Sequence, residues 1–360
     1  MRKYKTWLTF MLSFFMGLVT VNIVAPQLSY FNIKIRNFLI HGEFHKFTFT
    51  EKGIPEQLNP RIGRYTSPFY VVHFGLLYSE ACRDLVDSSK HHWLEDATLK
   101  YWYGNSPAPS LQNFKAALDW LLTNADDETT YGVTHFLYNF DWPYSGYPSG
   151  VIKAPWWSGL TDGYAIIPLL RGYDCFKNNK YLLLAEKLYN SVLTPISEGG
   201  SLTYWDGLPW IEEYVDPRAS GKESPRVFNG MAYAYFGVLA FETYKQAQDA
   251  AQNASSALLA SIAEHIYDFD MGYWSYYDAI GNPANIKYHG INWALTADPR
   301  ISLAISSELR QRWAVGVRYP ILYLIYGART TAYFHLWFEV LLLTAVYFFI
   351  IEGAIRYASR

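Results

Sequence analysis

The sequence predicts a mainly α-helical protein: an α/α toroid (an incomplete α/α barrel) or a large helical bundle, with a short N-terminal β-hairpin and terminal membrane helices. Three observations carry this reading. Apolar residues recur at helical spacing through most of 61–326, in consecutive helical hairpins with long loops between some of them. The stretch 44–50, FHKFTFT, instead alternates apolar and polar residues before the turn signal Glu51-Lys52-Gly53. Each end of the chain holds an apolar run long enough to cross a bilayer.

The elements follow in chain order. Residues 7–25 are uncharged, follow Arg2, Lys3 and Lys5, and precede Pro26, so 1–28 reads as a signal anchor. Ile23 and Ala25 also make an acceptable cleavage site, which leaves a signal peptide as the other reading. Residues 29–60 hold the hairpin and a linker. In the α/α-barrel domain, 61–326, Phe69, Val72, Leu76 and Leu77 share one helical face after Pro68, and Phe114, Leu118, Leu121 and Leu122 repeat the pattern. Residues 156–173 and 181–192 form a further pair. Ser224 as N-cap and Pro225 at the first helical position open a helix that carries Phe228, Met231, Tyr235 and Leu239 on one face. Helices over 258–267, 286–296 and 301–326 complete the domain. Residues 327–360 read as a C-terminal transmembrane helix and cytoplasmic tail, because 330–351 is apolar except for His335 and Glu339. Both termini are then cytoplasmic, with Arg356 and Arg360 as the final flank and Arg318 and Arg329 on the far side. The domain between faces the extracytoplasmic space, at a cell surface, in a periplasm or in a Golgi lumen; in a eukaryotic host Asn253-Ala254-Ser255 would be a glycosylation acceptor.

Composition removes several functions. A net charge of -2 over 360 residues offers nothing to nucleic acid. Cys82 and Cys175 are the only cysteines, too few for a disulfide framework or a cysteine metal site, with a single bridge left open. No HExxH, P-loop, GxGxxG or GxSxG pattern occurs, and His91-His92 reads as a solvated loop, so no metal and no cofactor is expected. The aromatic share of 18%, with 31 Tyr and 13 Trp, suits sugar stacking as well as membrane segments and cores.

The segment GLPWIEEYVDP, 207–217, has breakers on both sides and reads as a loop. Two adjacent carboxylates between Trp210 and Tyr214 have no periodic reason to be there. As a catalytic loop it would aim Glu213 inward and leave Glu212 outward or bonded to backbone. Loops 126–155 and 196–224 are the candidates for lining a cleft, and HFLYNFDW, 135–142, puts Asn139 and Asp141 on the first of them.

PWWSGLTDGYAIIPLLRGY, WIEEY, PRVFNGMAYAYFGVL, WSYYDA and KYHGIN, in that order and spacing, resemble the C-terminal domain of the D-glucuronyl C5-epimerases. Those enzymes convert glucuronate to iduronate within heparan-type polymers on an α/α barrel. The resemblance implies catalytic roles for Glu213, Tyr214, Tyr277 and Tyr288; the candidate substrate contacts beside them are Trp156 and Trp157 (sugar platform or barrel wall), Asp162 (cleft residue or helix cap), Lys153, Arg226, Asn229, His289 and, from its place on the first cleft loop, Asn139. The chain departs from the family where Ile280 replaces an arginine and where Asp162-Gly163-Tyr164 replaces a Gln-Gly-Gln step. The β-rich N-terminal portion of animal members is nearly absent.

Epimerisation at C5 removes a proton α to a carboxylate and returns one to the other face, which takes two proton-transfer groups on opposite sides of the ring. Glu213, its pKa raised by burial, suits one role; a tyrosine lowered by nearby cations suits the other. Lys287, Lys153 and Arg226 are the cations for that task or for the substrate carboxylate. The expected protein is a membrane-anchored polysaccharide uronate C5-epimerase whose partners are a uronate-containing polysaccharide and the membrane, with a homodimer left open. The competing readings are a polysaccharide lyase, a glycoside hydrolase pairing Asp162 with Glu213, and a non-catalytic glycan-binding protein.

Overall fold

The computed structural model describes residues 2–101, 107–126, 132–144, 147, 149–218, 224–246, 253–328 and 330–358. Arg329, Arg360 and parts of both expected cleft loops lie outside the described residues.

Helix α1 (Arg2–His41) runs straight through Pro26, where the sequence reading ends a span and begins a linker. Proline removes one main-chain bond, but packing on either side holds the helix: Val21 and Ala25 are buried among Trp274, Tyr323, Leu336 and Val340. The expected hairpin is a three-stranded antiparallel sheet, β1 (Phe47–Phe49), β2 (Pro55–Asn59) and β3 (Gly63–Tyr65), in that order. Phe47 lies opposite Gln57, and Gln57 opposite Tyr65. The added strand arises because Asn59 Oδ1 accepts hydrogen bonds from the backbone N–H groups of Arg61 and Ile62, turning the chain back. Asn37 of α1 holds the sheet by donating to the carbonyls of His45 at 2.7 Å and Leu58 at 3.0 Å.

The helical body comprises α2 (Pro68–Ser79), α3 (Leu111–Asn124), the two-residue strands β4 (Trp142–Pro143) and β5 (Val151–Ile152), α4 (Gly159–Phe176) and α5 (Asn179–Leu193). Next come the hairpin β6 (Leu202–Trp205) and β7 (Leu208–Ile211), then α6 (Phe228–Gln246), α7 (Ala254–His265), α8 (Ile286–Ala297), α9 (Pro299–Ser302), α10 (Ser307–Arg318), α11 (Tyr323–Tyr326) and α12 (Thr331–Ala358). Ser110, Ser158, Asn178 and Asn285 cap α3, α4, α5 and α8 with their side chains. Helices α2 and α4 are buried almost all round, and α4 packs against α2, α5 and α6, so they form the middle of the core. Helices α3 and α5 bury one stripe each and lie outside them.

Three sequence expectations need correction here. The helix expected to open at Ser224-Pro225 begins at Phe228, because Arg226 has a left-handed φ of 50° and Val227 bridges to Asp278. The helix expected over 301–326 is broken into α9, α10 and α11, with Pro320 unable to continue α10. His92 is not solvated: it is buried, with Nε2 2.7 Å from Asp174 Oδ2. Cys82 and Cys175 are joined, tying the segment after α2 to the end of α4.

Among the described residues two helices are long and apolar enough to cross a membrane, over Tyr4–Leu28 and Ala332–Ala358. They pack side by side. A Cβ at Gly17 would lie 2.9 Å from Thr344 Oγ1, and Thr20 Oγ1 meets Tyr347 OH at 2.9 Å. Glu339, a charge inside the expected C-terminal span, accepts from Asn32 Nδ2 at 3.2 Å, a residue beyond the apolar stretch of α1.

Candidate active site

The WIEEY segment is half hairpin rather than all loop. Asp206 (φ 50°) and Gly207 (φ 83°) form a two-residue turn with both central residues left-handed, the geometry that suits a hairpin and favours Asp-Gly. Strand β7 therefore delivers Trp210 and Ile211 into the core and releases Glu212, Glu213 and Tyr214 at its end. Val215 then pairs with Trp157 in both directions, at 3.2 and 3.0 Å, which pins the carboxylates beside the start of α4.

Glu212 and Glu213 part company. Glu212 is fully buried and structural: its carboxylate accepts from Thr203 Oγ1 at 3.1 Å and from Arg226 N at 3.2 Å. Glu213 faces a cavity of about 390 Å³. Tyr277 OH donates to Glu213 Oε1 at 3.3 Å and lies 2.8 Å from Tyr214 OH, while Glu213 Oε2 is buried with no hydrogen-bond partner among the described residues. Gly230 on α6 makes room for it, since a Cβ there would come within 2.5 Å of Glu213 Cβ. Burial raises Glu213 to about 7, with Glu212 and Asp278 adding to the shift and the Tyr214 and Tyr277 hydroxyls opposing it.

The other charged side chains on the cavity wall are basic. Lys46 before β1, Lys287 on α8, Arg36 on α1 and Arg61 all line it, and Glu213 is the only acid among the described lining residues. Burial lowers Lys46 to about 8. It holds Lys287 well below the ordinary lysine value, with the charge on Lys46 adding to the effect and Glu213 opposing it. The first turns of α4, α6 and α8 border the cavity through Leu160 and Thr161, Asn229, and Lys287 and Tyr288. Helix N-termini add partial positive charge. Asn229 is fully buried, and neither polar atom of its side-chain amide has a partner among the described residues.

The structure thus brings together Glu213, Tyr214, Tyr288, Trp156 and Asn229 as lining, with Tyr277 directly behind Glu213. Tyr277 packs edge-on against Tyr288 at 4.9 Å, and Lys287 Nζ lies 5.0 Å from the Tyr288 ring centre. Trp156 stacks on Tyr138 at 4.1 Å. Tyr214 and Tyr277 are pushed well above the ordinary tyrosine value, by burial and then by the charge of Glu213. They are hydrogen-bond donors, not ready bases.

The other residues expected to contact substrate lie elsewhere. Trp157 is buried, stacked on His135 at 4.3 Å. Asp162 is fully buried, bonding His135 Nδ1 at 2.7 Å and accepting from Phe136 N at 3.0 Å, so it fixes the loop over α4. Lys153 is exposed and paired with Asp141 at 2.6 Å. Arg226 lies over the Trp205 ring at 4.7 Å, aimed there by its left-handed backbone. His289 is buried against Trp274 at 4.0 Å, bonds Ser275 Oγ at 3.0 Å, and burial lowers it to about 3. Asn139 lines a second cavity that shares the Tyr65 and Phe140 wall with the first. Arg36, Lys46 and Arg61 were missed. Their signal, basic residues at the edge of an apolar helix and a hairpin, does not differ from that of solvated charges.

Taken together, the fold and site define a mainly helical protein whose cavity sets one buried carboxylate and its tyrosine neighbours among basic side chains. Residues 132–298 match the family described as D-glucuronyl C5-epimerase C-terminus. That match covers less than half of the chain. It is similar to the D-glucuronyl C5-epimerase of Caenorhabditis elegans, 27% identical over 200 residues, which cover 50% of this chain and 30% of that one. It is also similar to an uncharacterized protein of Methanocaldococcus jannaschii, 26% identical over 188 residues, covering 48% of this chain and 56% of that one. The matches therefore span about half the length of the archaeal relative and under a third of the nematode one.

Proposed function

We propose that this protein is a membrane-anchored uronate C5-epimerase acting on a polysaccharide, on an α/α-toroid domain facing the extracytoplasmic side. The observation that carries the reading is the cavity's charge: one carboxylate raised toward neutrality and facing Lys46, Lys287, Arg36 and Arg61. A carboxylated sugar complements those basic groups, and its C5 proton is the one a neutral-range carboxylate can remove. In this reading Glu213 takes the proton from one face and Tyr288 returns one to the other. Tyr277 and Tyr214 donate toward Glu213, and Asn229 bonds a sugar hydroxyl. Lys287 and Lys46 hold the substrate carboxylate and stabilise the charge that builds on it, in place of the family arginine at Ile280. The disulfide between Cys82 and Cys175 supports an oxidising, extracytoplasmic setting. The hydrolase reading loses its second carboxylate, because Asp162 is buried against His135 outside the cavity.

The test is proton exchange by the full-length protein in deuterated water with a panel of uronate polysaccharides, read by NMR. Truncation at residue 60 would remove Arg36 and Lys46 from the wall. Deuterium at C5 without chain cleavage is the expected result; an unsaturated product absorbing in the near ultraviolet would replace the epimerase reading with a lyase.

Lys287→Gln is expected to lower kcat/KM by about 10–100-fold, the range for a lost hydrogen bond to a charged group, chiefly through KM. Steady-state kinetics on uronate and carboxyl-reduced polymers checks this. An unchanged KM would take Lys287 out of carboxylate binding.

A further inference from the structure

We infer that the segment Tyr319–Tyr326, between α10 and α12, is a third membrane element that lies in the lipid interface beside the two spans. This rests on the anchoring proposed above. The main-chain N–H of Ile321 donates to Asn22 Oδ1 of α1 at 3.1 Å, so the segment sits level with residue 22, inside the apolar stretch Tyr4–Leu28. Asn22 is about 27 Å along the helix from Tyr4, and a hydrocarbon core is about 30 Å thick. A bilayer that begins at Tyr4 therefore ends at this segment.

The chemistry of the segment suits that boundary. Tyr323 is buried against α1 and α12, whereas Ile325 is 69% exposed and Tyr319 44% exposed, with Arg318 exposed just before them. An apolar tip among tyrosines with a neighbouring arginine is what a headgroup and acyl boundary takes. Among the described residues no element covers Ile325, and the spans on which the segment packs continue into lipid. One consequence is that Arg36, on the same helix, holds the cavity wall about 20 Å above the lipid boundary, within reach of a glycan tethered to the same membrane.

The two cysteines are bonded to each other, so an introduced cysteine is uniquely addressable. Full-length Ile325→Cys, Phe349→Cys on α12 and Tyr204→Cys on β6 would be spin-labelled in lipid nanodiscs, and collision with oxygen compared with collision with a water-soluble nickel chelate. All three native residues are exposed, so the labels leave the fold intact. The label at 325 is expected to favour oxygen several-fold over that at 204, as the label at 349 does. If 325 matches 204 while 349 favours oxygen, the interfacial segment is overturned and the anchoring stands. If both 325 and 349 read as aqueous, the anchoring fails and this inference with it.

Discussion

Glu213→Gln is expected to reduce C5 exchange by about 10²–10⁴-fold, the range that a positioned acid or base contributes, while the protein remains folded. Glutamine keeps the shape beside Gly230 and Tyr277 but cannot take a proton. In the native protein, exchange should rise as pH rises through about 7, because Glu213 must be ionised to act as base. Stability should run the other way. Glu212 and Glu213 are both raised by burial from 4.5 to about 7, so between these values the folded state holds protons that the unfolded chain has released. Stability contributed by the protonated forms is complete below about 4.5 and is lost as pH rises through 7, up to about 3 kcal/mol for each carboxylate. Glu213→Gln removes one of the two contributions, so its melting temperature should fall less steeply with pH than that of the native protein. Kinetics and thermal melts from pH 5 to 8 on both proteins check the pair of slopes. A variant that kept more than a tenth of the native exchange rate would exclude Glu213 as the base.

Gly237→Ala is expected to cause the largest loss of stability from a single added methyl. A Cβ at 237 would stand 1.8 Å from the carbonyl oxygen of Gly163, and one at 163 would stand 2.6 Å from Ala234 Cα. Backbone meets backbone between α4 and α6, so nothing flexible can yield, and the helices must separate. Overpacking of this kind costs about 3 kcal/mol or more, a fall in melting temperature on the order of 10 °C. The same separation would pull Thr161 away from Asn229 across the cavity, so activity should fall even where the variant is folded. Gly353→Ala on α12, where a Cβ meets nothing within 4 Å, is the control and should leave both unchanged. A melting temperature for Gly237→Ala equal to that of the control would mean that α4 and α6 do not touch in this way.

Much of the helical content was legible because periodicity is a local property. Phe114, Leu118 and Leu121 mark α3, and all three are buried. Boundaries failed where one backbone angle or one distant partner decided them. Arg226 is left-handed because Glu212 holds its N–H and Ala279 takes its carbonyl, neither of which is adjacent in sequence. The β6–β7 hairpin carried a local signal, Asp206-Gly207, that the breakers around it obscured.

The sequence by itself determined that the protein is mainly helical, that it has a run able to cross a membrane toward each end, and which motifs within 132–298 resemble the D-glucuronyl C5-epimerases. Those depend on residue order alone. Only the tertiary structure decided which candidates share a cavity. Burial and charge are properties of what packs around a group: Asp162 and His289 are spent on internal hydrogen bonds, while Lys46 and Arg36, remote in sequence from the family segment, face Glu213's cavity. A charge that looks solvated in sequence becomes part of a site when a hairpin and a long helix fold it over a buried carboxylate.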